Sequence, residues 1–346
     1  MPVILMISTC SGITTCPVHD PIYPSKGEDV LFNIRAESES GISEVRFYET
    51  ISSIDEEGNF TSGVEVLLDT RILNPEPVSI SEYFTKIGGY DTNQVIAYRF
   101  VITNGNGRTR SHSVTFAIRP YPVPNMPAPV YMQGDVDDVF DIILIPDTDV
   151  TDMEFWRYEC RLLIQSTIHK EPGMRLLNRS YNFYINPEPG TATSYEDYLE
   201  NGIPHQLPDN YANLAFAELR CILHMYVFQD YYWPSTGTIS CEIINPQTFI
   251  HEAGHALFGL ADEYPDGQHW QADVLPNNWN DEATAQAEAP SRGKTAADVK
   301  EIGDTGWYRM CNDTCPMCSG VDPLFDFDNP CEDRVIYETL LNAIED

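Results

Sequence analysis

The chain has 346 residues, 42% of them hydrophobic, with 53 acidic against 20 basic side chains and a net charge of −33. That is enough apolar material for two domains or one large one, and it argues against global disorder. So acidic a chain repels nucleic acid and anionic membrane surfaces, and no apolar run approaches membrane-spanning length.

The first third reads as all-β. Short runs rich in β-formers occur at Val30–Arg35, Glu44–Glu49, Val64–Leu68, Val95–Ile102 and His112–Ile118. The last two flank Asn104-Gly105-Asn106-Gly107, a hairpin signal because Asn and Gly tolerate positive φ. Several short strands separated by turn residues predict an immunoglobulin-like β-sandwich over 1–118. A proline-rich stretch follows, predicting an extended, semi-rigid linker over 119–131.

Beyond it, over 132–346, helical and strand patterns mix. Val139–Ile145 reads as a buried strand. Thr151 or Asp152 can cap a helix running to about Ile168, and Tyr181–Asn186 reads as a strand. An Ala- and Leu-rich segment predicts a second long helix from Tyr211 to about Phe228. A strand is expected over Thr236–Ile244, a helix opening at Thr248, helical turns near 281–300 and a closing helix from Cys331 to Ile344. The expected fold class is α+β: a mixed sheet backed by helices, preceded by the all-β module.

The helix opened by Thr248 carries His251-Glu252-Ala253-Gly254-His255. Positions i and i+4 share one helix face, so both imidazoles can reach one metal ion. Glu252 then sits beside a metal-bound water and can take its proton as general base. Phe249, Ile250, Ala253, Ala256 and Leu257 make the rest of the helix apolar, and small residues leave room around the ion. A catalytic zinc takes three protein ligands and keeps one open position. Asp262 returns to nearly the azimuth of His251, but on an unbroken helix it would sit ~10 Å above His255. The helix must therefore break, and Gly259 can end it in a left-handed conformation. Asp262 is the expected third ligand, with Glu263 in reserve and a glutamate from a later helix as a weaker option.

The string His251-Glu252-x-Gly254-His255-x-x-x-Gly259-Leu260-x-Asp262-Glu263-Tyr264 resembles the signature of the IgA-peptidase family of zinc metallopeptidases, in the zincin class. Compared with metzincins, Gly and the third ligand each fall one position later, with the Gly-x-x-Asp interval kept. The resemblance covers about residues 135–346, and only the helix motif is highly specific. It implies a zincin-like catalytic domain, one catalytic Zn2+, and Asp262 as a ligand. Asp141–Asp147 is similar to the family's opening strand. Cys315-Pro316-Met317-Cys318 looks like its methionine turn, with Met317 a hydrophobic floor beneath the imidazoles. The extra tyrosine ligand of some metzincins has no evident counterpart after Met317.

Two other clusters stay open. Asp135, Asp137, Asp138 and Asp141, then Asp147, Asp149 and Asp152, are calcium candidates, although none fits an EF-hand loop. Of nine cysteines, Cys311, Cys315, Cys318 and Cys331 can form either a thiolate metal site or disulfides. The function expected is hydrolysis of protein or glycoprotein substrates by a zinc endopeptidase, outside the cell or at its surface although no signal peptide is visible. The alternative is a protein- or glycan-binding adhesion protein on a zincin scaffold.

Overall fold

A computed structural model describes residues 12–134, 139–168, 180–192, 206–225, 231–233, 237–271, 274–310, 315–319 and 329–342. The chain divides into two compact units, one of residues 1–133 with 183–187 and one of 134–182 with 188–346.

The first unit is antiparallel β. Strands β1 (Thr14–Asp20), β2 (Val30–Glu37) and β6 (Ser79–Lys86) form one sheet in the order β1-β2-β6. A second sheet runs β4 (Phe60–Thr61), β3 (Ile42–Ile54), β7 (Gln94–Asn104), β8 (Thr109–Ala117), and β5 (Glu65–Ile72) also pairs with β3. Alternate residues point inward, and their rings meet between the sheets. Phe32 lies 5.0 Å from Phe47 and 4.9 Å from Tyr98, and Phe47 stacks on Phe100 at 4.9 Å, between ring centroids. The expected β7–β8 hairpin is present. Gly107 takes positive φ, and the Asn104 carboxamide accepts from the Asn106 and Arg108 amides. Strands β1 and β6 give little signal in sequence because both are sheet edges. Pro17 interrupts the first, and alternate residues of the second are exposed. Within the proline-rich stretch, β9 (Ala128–Tyr131) pairs antiparallel with the end of β11 (Tyr181–Ile185).

In the second unit, β10 (Phe140–Pro146), β12 (Leu219–His224) and β14 (Thr238–Glu242) run parallel, and β13 (Tyr231–Trp233) lies antiparallel on β14. Every residue of β10 and β14 is buried, as expected for parallel strands covered on both faces. Helix α1 (Met153–Ile168) is capped by the Asp152 carboxylate, which accepts from the Glu154 and Phe155 amides. The Trp156 indole donates to the Leu223 carbonyl of β12. Helix α2 (Pro246–Phe258) carries the two histidines. Beyond it, β15 (Asn278–Trp279), β16 (Lys300–Glu301) and β17 (Tyr308–Arg309) form a small sheet. Helix α3 (Glu282–Glu288) contributes Ala285 to a small core with Trp279, Ala289 and Met310. Short α4 (Pro316–Ser319) and α5 (Asn329–Asn342) complete the unit. Among the described residues, no helix is long and apolar enough to cross a membrane.

Two expectations need correction. The long helix from Tyr211 is instead a 3-10 turn, Tyr211–Leu214, followed by strand β12; residues 226–228 lie outside the described set. Leu219, Cys221, Ile222 and Leu223 are wholly buried between β10 and β14, so sheet pairing overrides the Ala- and Leu-rich local preference. Helix α2 opens one turn earlier than Thr248: Asn245 is the cap, accepting from the Thr248 amide, with Pro246 at the first helical position.

Candidate metal centre

Helix α2 places His251 and His255 one turn apart, their rings 4.7 Å between centroids. Each Nδ1 faces a backbone carbonyl: His251 meets Pro316 O at 3.0 Å, and His255 meets Leu260 O at 2.6 Å. A carbonyl only accepts, so Nδ1 carries a proton, and in the neutral ring the lone pair is on Nε2. The two Nε2 atoms lie 3.2 Å apart. Gly259 ends the helix at φ 60°, and the Leu260 amide turns back to bond Gly254 O. The chain then brings Asp262 round, its Oδ1 3.3 Å from His251 Nε2 and 3.2 Å from His255 Nε2.

These three atoms make a nearly equilateral triangle. A tetrahedral ion with N and O ligands at ~2.0–2.1 Å has ligand–ligand edges of about 3.3–3.4 Å. The buried Asp262 Oδ1 has no hydrogen-bond partner, and in the neutral rings both neighbouring nitrogens present lone pairs. Three converging electron-rich atoms repel unless a cation joins them. The His251–His255–Asp262 group can thus hold a metal ion.

The charges give the same account. Burial works against a charged His251, yet the Asp262 carboxylate, with Glu252, pushes its pKa up to about 9. Burial would raise Asp262, but the two imidazoles hold it far below the usual carboxylate range. Both shifts express a demand for positive charge among these donors, which a proton or a metal cation meets. Tyr264, its ring 6.0 Å from His251, hydrogen-bonds Asp262; burial and that carboxylate raise its pKa, so it remains a hydroxyl donor.

The loop carrying Asp262 is held by residues that sequence reasoning missed. Asn277 bonds both polar backbone atoms of Ala261, and Asn278 donates to the Asp262 carbonyl at 2.6 Å. The Gln268 amide donates to Asp262 Oδ2 at 2.6 Å. A Cβ on Gly267 would overlap the Asp262 side chain, 2.7 Å from its carboxyl carbon, so that position needs glycine for close approach. The only sequence signal for these straps was a run of turn-forming residues.

Glu252 is buried on α2 beside His251. Glu263, the reserve ligand, faces elsewhere: its Oε1 accepts from Asn277 at 3.0 Å and from the Cys331 thiol at 3.2 Å. Met317 is fully buried under the helix, and a Cβ on Gly254 would come 2.8 Å from its sulfur. The space at Gly254 thus admits Met317.

Of the calcium candidates, Asp135, Asp137 and Asp138 lie outside the described residues. Asp141 accepts from Asn182, Asp147 from the Thr148 and Ala192 amides, Asp149 from the Met225 amide, and Asp152 caps α1. These are hydrogen bonds to protein amides, and none of the four belongs to a metal-donor group among the described residues. Of the cysteine cluster, Cys318 is disulfide-bonded, Cys315 and Cys331 are free, and Cys311 lies outside the described residues.

No protein-family model matches the chain, and no curated protein matches it. Solved structures resemble it slightly. OgpA from Akkermansia muciniphila is 14% identical, with 32% of this chain and 28% of that one covered and a TM-score of 0.21. The sporulation control protein Spo0M of Bacillus subtilis is 12% identical over 31% of this chain and 49% of its own, with a TM-score of 0.22. The alkylpurine DNA glycosylase AlkC of Pseudomonas fluorescens is 13% identical over 32% and 31%, with a TM-score of 0.23. The chain spans half or less of each of these proteins, and TM-scores at this level carry no argument about fold or activity.

Proposed function

We propose that the chain is a zinc-dependent endopeptidase acting on protein or glycoprotein substrates outside the cell. One observation carries this reading: three buried donor atoms at tetrahedral-edge spacing, two of them on a helix that also bears Glu252. Two neutral imidazoles and a carboxylate suit zinc, and three protein ligands leave a position for substrate or water. When bound, the ion would polarise the scissile carbonyl and make water more acidic. Glu252 then takes a proton from the attacking water and returns it to the leaving amine. His251 and His255 are held as Nε2 donors by the Pro316 and Leu260 carbonyls.

The same reading takes 132–346 as a zincin-like catalytic domain related to IgA peptidases, 119–131 as a linker and 1–118 as an immunoglobulin-like accessory domain. The motif from His251 to Tyr264 supports the first assignment, and the two facing antiparallel sheets support the last. Resemblance to IgA peptidases does not make IgA the substrate.

The test is metal content together with cleavage of a general protein substrate, before and after chelation. Wild type is expected to bind one zinc at the histidines and to lose cleavage on chelation. Glu252→Gln should retain that zinc while kcat falls by ~10²–10⁴-fold. Stoichiometric zinc with no chelator-sensitive cleavage would favour the binding or adhesion role instead.

A further inference from the structure

A second group of metal donors lies behind the first, in the same unit. Glu263, Cys315 and Cys331 each offer an atom within 4.8 Å of the other two, and all three residues are buried. The Cys331 thiol lies 3.2 Å from Glu263 Oε1, and Cys318 Sγ lies 2.9 Å from Glu263 Oε2. Arg309 also reaches the Cys318 sulfur.

Thiols gathered in a core are by themselves unremarkable, because cysteine packs as a small hydrophobe. Cys221 and Cys241 show this: their sulfurs are 3.6 Å apart, both are buried, and they join no metal-donor group among the described residues. Glu263 differs. Its residue is only 1% exposed, and beside the Asn277 amide its carboxylate meets two sulfurs, which are weak hydrogen-bond partners. Thiolates with a carboxylate form a donor set for a thiophilic divalent ion, and structural zinc takes four such ligands.

We propose that Glu263, Cys315, Cys331 and Cys318 form a second, structural zinc site. It is distinct in its ligands from the histidine centre and would tie the loop after α2 to α4 and the start of α5. Cys318 is disulfide-bonded, so ion and disulfide compete for its sulfur. A dithiol reductant breaks that bond. Two electrons and two protons pass to its sulfurs, and the reductant becomes a cyclic disulfide. Each ligating thiol then releases its proton as it binds the ion. The site is thus open to zinc in the reduced protein and closed in the oxidised one.

The test uses the full chain, treated with a dithiol, freed of it anaerobically and titrated with zinc alone or cobalt alone. Two zinc equivalents are expected in the reduced chain and one in the oxidised chain. Cobalt should give a sulfur-to-metal charge-transfer band, which a His-His-Asp centre has no sulfur to produce. Cys331→Ser should remove the band and one zinc equivalent, whereas His255→Ala should leave the band intact. Glu263→Gln, checked for folding by near-UV circular dichroism, guards against a Cys331→Ser chain that fails to fold, and it too should weaken the band. A folded, reduced chain without the band would overturn the proposal, as would a band that survives Cys331→Ser. Neither result bears on the histidine centre.

Discussion

Two buried histidines of the first unit and the two on helix α2 of the second differ in one respect. In the first unit, His19 places Nδ1 against the Tyr98 hydroxyl at 3.2 Å and Nε2 against the Ile22 carbonyl at 3.0 Å, with its ring stacked on Phe116. His112 similarly meets Thr15 at 2.9 Å and Gln133 at 2.6 Å. Every ring nitrogen there has a protein partner. In the second unit only the Nδ1 atoms of His251 and His255 face protein carbonyls, while the Nε2 atoms face each other and an orphaned carboxylate oxygen. Burial of a histidine therefore says little about function. Donor atoms that converge on one point say much more, because they repel one another unless a proton or a metal cation lies among them.

The comparison predicts opposite consequences for removing one member of each pair. If ~10–16 kcal/mol of zinc binding is shared by three protein ligands, one ligand is worth about 4 kcal/mol, or on the order of 10³-fold in affinity. His255→Ala should lose zinc by that factor in a competition titration with a chromophoric chelator. His19→Phe should leave zinc affinity unchanged and lower unfolding stability by about 1–3 kcal/mol, since the Ile22 carbonyl loses its partner. Zinc loss on His19→Phe would erase the distinction between the pairs.

A gentler change sharpens it. Gly267→Ala touches no donor atom, but its methyl would overlap the Asp262 side chain and displace the third ligand. Changes that misorient a ligand cost ~10–100-fold in metal affinity. The same titration should show a drop in that range while denaturant midpoints barely move. Unchanged affinity would mean that Asp262 is not a ligand, which is the point on which the third-ligand assignment is most exposed.

The difference between the units also governs what the sequence could reveal. Strands β7 and β8 were legible because their alternation and the Asn-Gly turn are local signals. The His251–His255 pair was legible because i, i+4 spacing is a helix property, and Asp262 because Gly259 offers a break where one is needed. Strand β12 was not legible. Its state is set by β10 and β14, which are distant in sequence, while Ala212–Ala217 favours helix locally. Asn277 and Asn278 were equally hidden: they act on Ala261 and Asp262 sixteen residues away, from a loop with no periodicity. Glu263 could be named as an acid near the metal, but its turn toward Cys331 depends on the path of the chain after the helix.

The smallest effect concerns the floor of the histidine site. In a helix interior, Gly254→Ala should gain about 1 kcal/mol from propensity alone. Here the new Cβ would meet Met317 Sδ at 2.8 Å, and overpacking a filled core costs ~1–3 kcal/mol. The methionine end is flexible and can shift, so the net change in wild type should be a loss of about 1 kcal/mol or less. Met317→Ala removes the obstacle at its own cavity cost of ~2–5 kcal/mol. In that background Gly254→Ala no longer meets sulfur, only the helix preference remains, and its sign should reverse to a gain. Urea unfolding of the four proteins in this double-mutant cycle reads the coupling directly. If Gly254→Ala has the same effect in both backgrounds, the glycine is not there to admit Met317, and the close approach of helix and methionine loop has some other cause.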